Sequence, residues 1–264
     1  MANGDCGQAV DLFYLVHELT RQGAELNEPE ALMWHALALF HAGELGRAEA
    51  TADRLLEVSV TKSAHTRQHA VGTKALVRFA RGDWTGVAAL AAELRSIVEQ
   101  NPDATFCLVG ANLAGYGGIA ELIRGHALPA DLVPLTERMI PIAHATRAAA
   151  LLLPTIMSGA AGSEDEARRA YAPETRLWDR ESIWDIAGMN LAIAQVVRGR
   201  WGEAERELAR MDRLGEKGAA FASALAAAIR EEIATARGGP RPQHGALRKL
   251  GYNGVSELLS YRVK

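Results

Sequence analysis

Two histidines have the spacing of a helical metal-binding pair. His65 and His69 stand four residues apart in the stretch His-Thr-Arg-Gln-His. On a helix this spacing places both imidazoles on one face. The stretch lacks the glutamate that follows the first histidine in zinc-protease helices, and the neighbouring sequence indicates no third ligand. The pattern therefore favours two surface histidines, and the sequence predicts no metal ion.

A glycine-rich segment has the composition of a phosphate-binding loop. It contains Gly110 and the run Gly115-Tyr-Gly-Gly118. A phosphate loop needs a preceding strand and a following Gly-Lys-Ser/Thr, and the sequence has neither. We interpret residues 106–124 as one helix whose glycines admit a close neighbour. Glycine costs about 1 kcal/mol there relative to alanine, so tight packing is expected to compensate. The segment predicts no nucleotide cofactor.

Acidic and sulfur-containing residues offer no better catalytic site. Asp179, Glu181 and Asp185 cluster at the start of a predicted helix, where acids interact favourably with the helix dipole. Neither Cys6 nor Cys107 has a basic partner at a motif spacing, and the chain has no Gly-x-Ser-x-Gly elbow. The sequence therefore predicts a protein that is not an enzyme and has no cofactor.

Composition and charge narrow the class of protein. The chain has 264 residues, 48% apolar and 23% charged, which is typical of a soluble globular protein. We expect a cytoplasmic protein without a membrane partner, because no apolar run is long enough to span a bilayer. From Arg237 onward there are six basic residues and one acidic residue, whereas the net charge of the whole chain is −3. We interpret this basic tail as folded back on an acidic body; the alternative is a nucleic-acid contact.

The elements that carry these residues are predicted by an internal repeat. Turn glycines recur with helix-like stretches before them, and glycine suits the end of a helix because it adopts the left-handed conformation at little cost. Mostly small residues stand seven positions before and five positions after the glycine, where paired helices approach closely. The glycines are Gly43, Gly82, Gly125, Gly162, Gly199 and Gly238. The flanking positions hold Ala36, Ala75, Gly118, Thr155 and Ala192, and Ala48, Val87, Ala130, Ala167 and Ala204.

This is the tetratricopeptide pattern, with a small residue in the first helix, glycine at the turn and alanine in the second helix. It predicts an all-α fold, a tetratricopeptide-like α-solenoid of about five to six antiparallel helix hairpins, over residues 1–240. Residues 241–264 are predicted to be a linker and a short basic helical C-terminal cap. Pro134 and Pro141 predict a short or kinked second helix in the third repeat. Leu12 to Leu19 already looks like the second helix of a hairpin, as expected of a fragment boundary at Met1.

The inner face of the first helices predicts the binding site. In tetratricopeptide hairpins this face lines a concave groove, and here it is apolar. We expect a groove for a protein or peptide partner, a partner helix or a small ligand; the alternative is that tight superhelical curvature buries the row. The predicted groove residues are Met33, Leu37, Phe40, Leu76, Phe79, Met189, Ile193 and Val196.

The C-terminal stretch Leu247-Arg-Lys-Leu-Gly-Tyr-Asn-Gly-Val-Ser-Glu-Leu-Leu-Ser-Tyr-Arg, with the divergent repeats before it, resembles a known region. It is similar to the C-terminal tetratricopeptide-like region of bacterial multidomain regulators that carry an adenylate/guanylate cyclase or LuxR-type module, in which an ATPase domain precedes the repeats. The resemblance implies a non-catalytic interaction or regulatory module, because the cyclase metal-binding aspartates and the ATPase phosphate loop have no counterpart here.

The alternative function is a small-molecule effector sensor linked to transcription regulation, with the basic tail contacting DNA. Leu247 to Leu259 also resembles the closing portion of a LuxR-type helix-turn-helix. The preceding Pro/Gly linker occupies the place of that motif's earlier helices, so we expect no complete DNA-binding domain and no nucleic-acid partner under the leading hypothesis.

Overall fold

A computed structural model of the chain describes residues 5–22, 27–103, 107–137, 144–159 and 186–261. These residues form thirteen helices and no strand, which confirms the all-α prediction. None of the thirteen has the length and apolar character needed to cross a membrane. The helices are α1 Cys6–Arg21, α2 Glu28–His41, α3 Leu45–Ser59, α4 Ala64–Arg81, α5 Trp84–Gln100, α6 Leu108–Ile123, α7 Leu132–Glu137, α8 His144–Met157, α9 Ile186–Val197, α10 Trp201–Glu216, α11 Ala220–Ala236, α12 Gly245–Lys249 and α13 Asn253–Leu259.

The repeated turn is confirmed in its backbone geometry. Five of the six predicted turn glycines are described, and each has a φ between 68° and 92°, in the left-handed region. At every one, the glycine amide donates to the carbonyl three residues earlier, and the next amide donates to the carbonyl five residues before it. This is the Schellman arrangement that satisfies the last carbonyls of a helix. The sixth glycine, Gly162, lies outside the described residues.

Among the described flanking residues, one departs from the repeat; Ala167 lies outside the described part of the chain. Ala48, Val87 and Ala204 are fully buried where paired helices meet. Ala130 is exposed, so its predicted place in a helix contact was wrong. The reason is that α7 begins only at Leu132. Residues 138–143, which include Pro141, lie outside the described part of the chain, so the short or kinked second helix of the third repeat stays a prediction.

Six helices form an inner layer: α2, α4, α6, α8, α9 and α11. Each packs on the next in that order, and α11 packs back on α2, so the first and last members touch. The outer helices α3, α5, α7 and α10 pack against the inner helix that precedes each of them. The paired-helix prediction is confirmed, whereas the solenoid form stays a prediction, because a row of hairpins does not by itself bring its two ends into contact.

The C-terminal pair α12–α13 lies on this inner layer and contacts α4, α9 and α11. The apolar side chains of the segment enter the core; they are Leu247, Tyr252, Val255, Leu258 and Leu259, with exposed fractions of 0–2%. The indole of Trp84, at the start of α5, donates to Glu257 of α13 at 2.8 Å. The basic tail is thus folded back on the body, as we interpreted it.

Candidate functional site

All eight predicted groove residues lie in one continuous hydrophobic core, with exposed fractions between 0% and 6%. The row is therefore buried in this structure and is not an open groove, whereas burial by superhelical curvature stays a prediction. Partner binding at these residues stays a prediction that would require the core to open. The residues concerned are Met33, Leu37, Phe40, Leu76, Phe79, Met189, Ile193 and Val196.

An aromatic cluster of Phe40, Phe221 and Tyr252 closes the inner layer. The ring of Phe40 lies edge-on to Phe221 and Tyr252, with centroid distances of 5.0 and 5.2 Å, and the latter two stack at 4.6 Å. The Tyr252 hydroxyl donates to the backbone carbonyl of Phe40. Because the three rings come from α2, α11 and the start of α13, the cluster joins both ends of the inner layer to the C-terminal segment.

A cavity of about 20 Å³ remains between the inner helices and the C-terminal segment. It has room for about one water molecule. Its polar lining consists of His41, Tyr116 and Asn190, and the rest includes five of the predicted groove residues. The side chain of Asn190 hydrogen-bonds Tyr116, whose pKa is raised by burial. A small-molecule effector does not fit here while the C-terminal segment is in place.

The buried His41 predicts a stability that depends on pH. Burial lowers the pKa of His41 from 6.5 to about 3 in the folded chain. Below its ordinary pKa the unfolded chain takes up a proton that the folded chain refuses, so stability is full above pH 6.5 and is lost as the pH falls toward 3. One such group contributes a slope of about 1.4 kcal/mol per pH unit.

We therefore expect His41→Leu to flatten the decline of the unfolding free energy between pH 6.5 and 4 by about 1 kcal/mol per pH unit. Urea unfolding at several pH values measures this slope. An identical slope in the parent and in His41→Leu would contradict the prediction.

Exposed apolar surface is concentrated on α1. Among the described residues, six large apolar side chains are exposed, and four of them lie on this helix: Leu12, Tyr14, Leu15 and Leu19, at 42–54%. The spacing of Leu12, Leu15 and Leu19 places them on one side of the helix; we call these three residues the α1 stripe. The opposite side of α1 packs on α2 and buries Cys6, Ala9 and Val10. Sequence reasoning treated this helix only as part of a hairpin, and so it missed the stripe.

A second candidate site brings together His65, His69 and Cys107. Their potential ligand atoms all lie within 4.8 Å of one another, and the two imidazole centroids are 4.3 Å apart. The expectation that no third ligand lies near the histidine pair is therefore wrong. Cys107 is the N-cap of α6, which packs against α4.

The surroundings of this cluster hold its members in place. The Cys107 amide donates to the buried Gln68 side chain at 3.0 Å, and the Gly110 amide donates to the Cys107 sulfur at 3.3 Å. Burial raises the pKa of the Cys107 thiol to about 11. Burial and the neighbouring His65 lower the pKa of His69 to about 4, so its imidazole is neutral at pH 7.

Comparisons with known proteins leave the family open. No family model, curated protein or solved structure matches this chain. The resemblance to cyclase or LuxR-type regulators consequently stays a prediction.

The other candidate residues do not form a site among the described residues. Gly115 and Gly117 lie within α6, as we interpreted them. A Cβ on Gly115 would collide with the carbonyl oxygen of Ala150, and one on Gly117 would stand 2.6 Å from the Cβ of Ala91. The glycines thus serve helix packing rather than a phosphate. Asp179, Glu181 and Asp185 fall outside the described residues.

Proposed function

We propose that this chain is a non-catalytic protein-interaction module of a bacterial signalling or transcription-regulating system, cytoplasmic, which binds an amphipathic helix of a protein partner on the α1 stripe. The α1 stripe carries the proposal. Leu12, Leu15 and Leu19 are exposed at 52%, 54% and 42%. Fully burying a leucine contributes about 1.5–3 kcal/mol, so covering the remaining exposure of three leucines supplies several kcal/mol to a complex.

The packing around α1 supports a helix as the occupant. Inner helices such as α4 pack against helices on both sides, and α1 packs against α2 through one side. A helix laid along the other side would continue the same helix-on-helix stacking. Leucines at i, i+3 and i+7 match the anchor spacing of a helical partner.

The charge beside the stripe indicates the polar flank of that partner. Asp11 is exposed on α1, and Asp5 is exposed at the N-cap of the same helix. A partner helix with basic residues next to its apolar face would complement these carboxylates, which favours the correct partner and speeds encounter more than it adds affinity.

A double variant tests the proposal directly. Leu12→Glu with Leu15→Glu is expected to abolish capture of the partner that the tagged parent recovers from the source lysate, because it places two carboxylates in the apolar contact. The unfolding free energy should change by no more than about 0.5 kcal/mol, as is usual for surface substitutions. Val60→Glu is the matched control, since Val60 is 72% exposed and lies outside the stripe.

Three outcomes would contradict this function. If the double variant recovered the same protein as the Val60→Glu control, the stripe would not be the binding surface. If the parent recovered no protein, there would be no evidence of a protein partner. Light scattering distinguishes the third outcome. A parent dimer that becomes a monomer in the double variant would show that the occupant is a second copy of this chain.

The alternative, an effector sensor whose tail contacts DNA, has weaker support. The interior cavity of about 20 Å³ is too small for an effector. A larger cleft of about 510 Å³ lies at the tail, and its lining, which includes Glu232, Arg241 and Arg248, is polar, whereas pockets for small molecules are mostly apolar. Of the tail cations, Arg237 pairs with Glu205 at 2.9 Å and Arg248 donates to Ser256 at 3.3 Å. Two of the six tail cations are thus engaged in contacts within the chain, which leaves fewer of them for a phosphate backbone.

A further inference from the structure

The cluster of His65, His69 and Cys107 has the donor atoms of a transition-metal site. Two imidazole nitrogens and one thiolate sulfur form a ligand set that suits Zn²⁺, which binds cysteine and histidine in most of its protein sites. Calcium and magnesium require oxygen ligands. The chemistry of the cluster therefore points to zinc rather than to a hard cation.

The distances between the three candidate ligand atoms are slightly longer than those of a metal-bound site. In a tetrahedral zinc site, with Zn–N of about 2.0–2.1 Å and Zn–S of about 2.3 Å, neighbouring ligand atoms lie about 3.3–3.6 Å apart. The three candidate atoms already lie within 4.8 Å of one another. A side-chain rotation that brings them together by roughly 1 Å completes the geometry. The exposed side chain of His65 is free to make it.

The sulfur ligand is held in position by α6. Cys107 is the N-cap of this 16-residue helix, and its sulfur accepts a hydrogen bond from the Gly110 amide at 3.3 Å. Because burial raises the pKa of this thiol to about 11, the metal ion has to displace the proton when it binds. The buried Gln68 lies on α4 between the two histidines, and its side-chain oxygen accepts a hydrogen bond from the Cys107 amide at 3.0 Å. This bond fixes the cysteine opposite the histidine pair.

A carboxylate lies close enough to His69 to become the outer partner that metal-binding histidines usually have. A carboxylate oxygen of Glu30 lies 3.7 Å from the His69 Nδ1. The other carboxylate oxygen accepts a hydrogen bond from the Trp34 indole at 2.7 Å, which holds Glu30 beside the imidazole. Such partners orient the ring and raise its basicity as a ligand.

We propose that His65, His69 and Cys107 bind one Zn²⁺ ion, which joins α4 to the start of α6. On binding, the Cys107 S–H bond is replaced by a sulfur–zinc bond and the proton passes to solvent, with no change of oxidation state. The fourth coordination position faces solvent beside His65 and takes water. The proposal is independent of the partner-binding function, because the α1 stripe contributes no ligand.

Isothermal titration of ZnCl₂ into chelator-treated full-length protein, kept reduced without added thiol, tests the site. We expect one ion per chain. His65→Ala and Cys107→Ala should each weaken the affinity by about 100-fold or more, and Glu30→Gln by about 10-fold, in line with outer-shell losses of 10–100-fold. Loading with Co²⁺ should give a thiolate-to-cobalt charge-transfer band that Cys107→Ala abolishes.

The matched controls are Cys6→Ala, which removes the other buried cysteine, and His126→Ala, which removes an exposed histidine elsewhere. Both should retain full zinc affinity and the cobalt band. His65 is exposed, so His65→Ala is expected to keep the parent's circular dichroism and to report on binding alone. Absence of stoichiometric binding, or an affinity unchanged in His65→Ala, would overturn the site. A loss in His126→Ala equal to that in His65→Ala would show adventitious binding at surface histidines.

Discussion

Replacing Tyr252 with alanine is expected to lower the free energy of unfolding by about 3–5 kcal/mol, the range for large aromatic truncations in a core. Tyr252 has an exposed fraction of 0%, stacks on Phe221 and packs edge-on to Phe40. Alanine leaves a cavity at the point where both ends of the inner layer meet the C-terminal segment. Urea unfolding, followed by far-ultraviolet circular dichroism, measures the loss.

Tyr252→Phe separates the ring from its hydroxyl. Phenylalanine retains the stacking and removes one hydrogen bond to the Phe40 carbonyl. That carbonyl also accepts the Gly43 amide at 3.1 Å, so the loss should be only about 1 kcal/mol. If Tyr252→Ala were as stable as Tyr252→Phe, the aromatic cluster would not close the inner layer.

Gly254→Ala is expected to destabilise the chain by about 3 kcal/mol, the upper part of the range for overpacking. A Cβ at Gly254 would collide with the carbonyl oxygen of Phe79 and stand 2.6 Å from the amide nitrogen of Gly82. Both obstacles are backbone atoms at the end of α4, so no side-chain rotation relieves them. The start of α13 must then move away from α4, which opens the packing around Val255 and Leu258.

Gly202→Ala is the matched control within a helix. A Cβ at Gly202 has no neighbour within 4 Å, so alanine should be neutral or stabilise the chain by about 0.4–1 kcal/mol through the unfolded state. Both variants are compared by urea unfolding. Equal stabilities for Gly254→Ala and Gly202→Ala would contradict the close approach of α13 to α4.

These two predictions bear on whether a partner can reach the predicted groove. The inner row that the sequence predicted as a groove is covered in part by Tyr252 and α13. A partner that binds the row must displace this segment and lose the burial of Tyr252, Leu258 and Leu259, which are 0% exposed. The α1 stripe needs no such rearrangement, which is why the proposed function places the partner there.

The sequence by itself determined the local architecture. The turn glycines were predictable because a left-handed residue and its two hydrogen bonds involve only six consecutive residues. A helix over residues 106–124 was predicted because phosphate-loop chemistry requires neighbours that the chain lacks, and the structure shows α6 over Leu108–Ile123.

Only the tertiary structure decided what covers each surface. Helical periodicity shows which side of a helix is apolar, and it does not show which distant segment buries that side. Tyr252 reaches Phe40 across 212 positions of sequence, and Cys107 reaches the histidine pair through the path of α4 to α6. Such long-range contacts decide that the predicted groove is buried, that the α1 stripe is exposed and that a third metal ligand lies beside the histidine pair. No local sequence pattern shows which distant residues will meet.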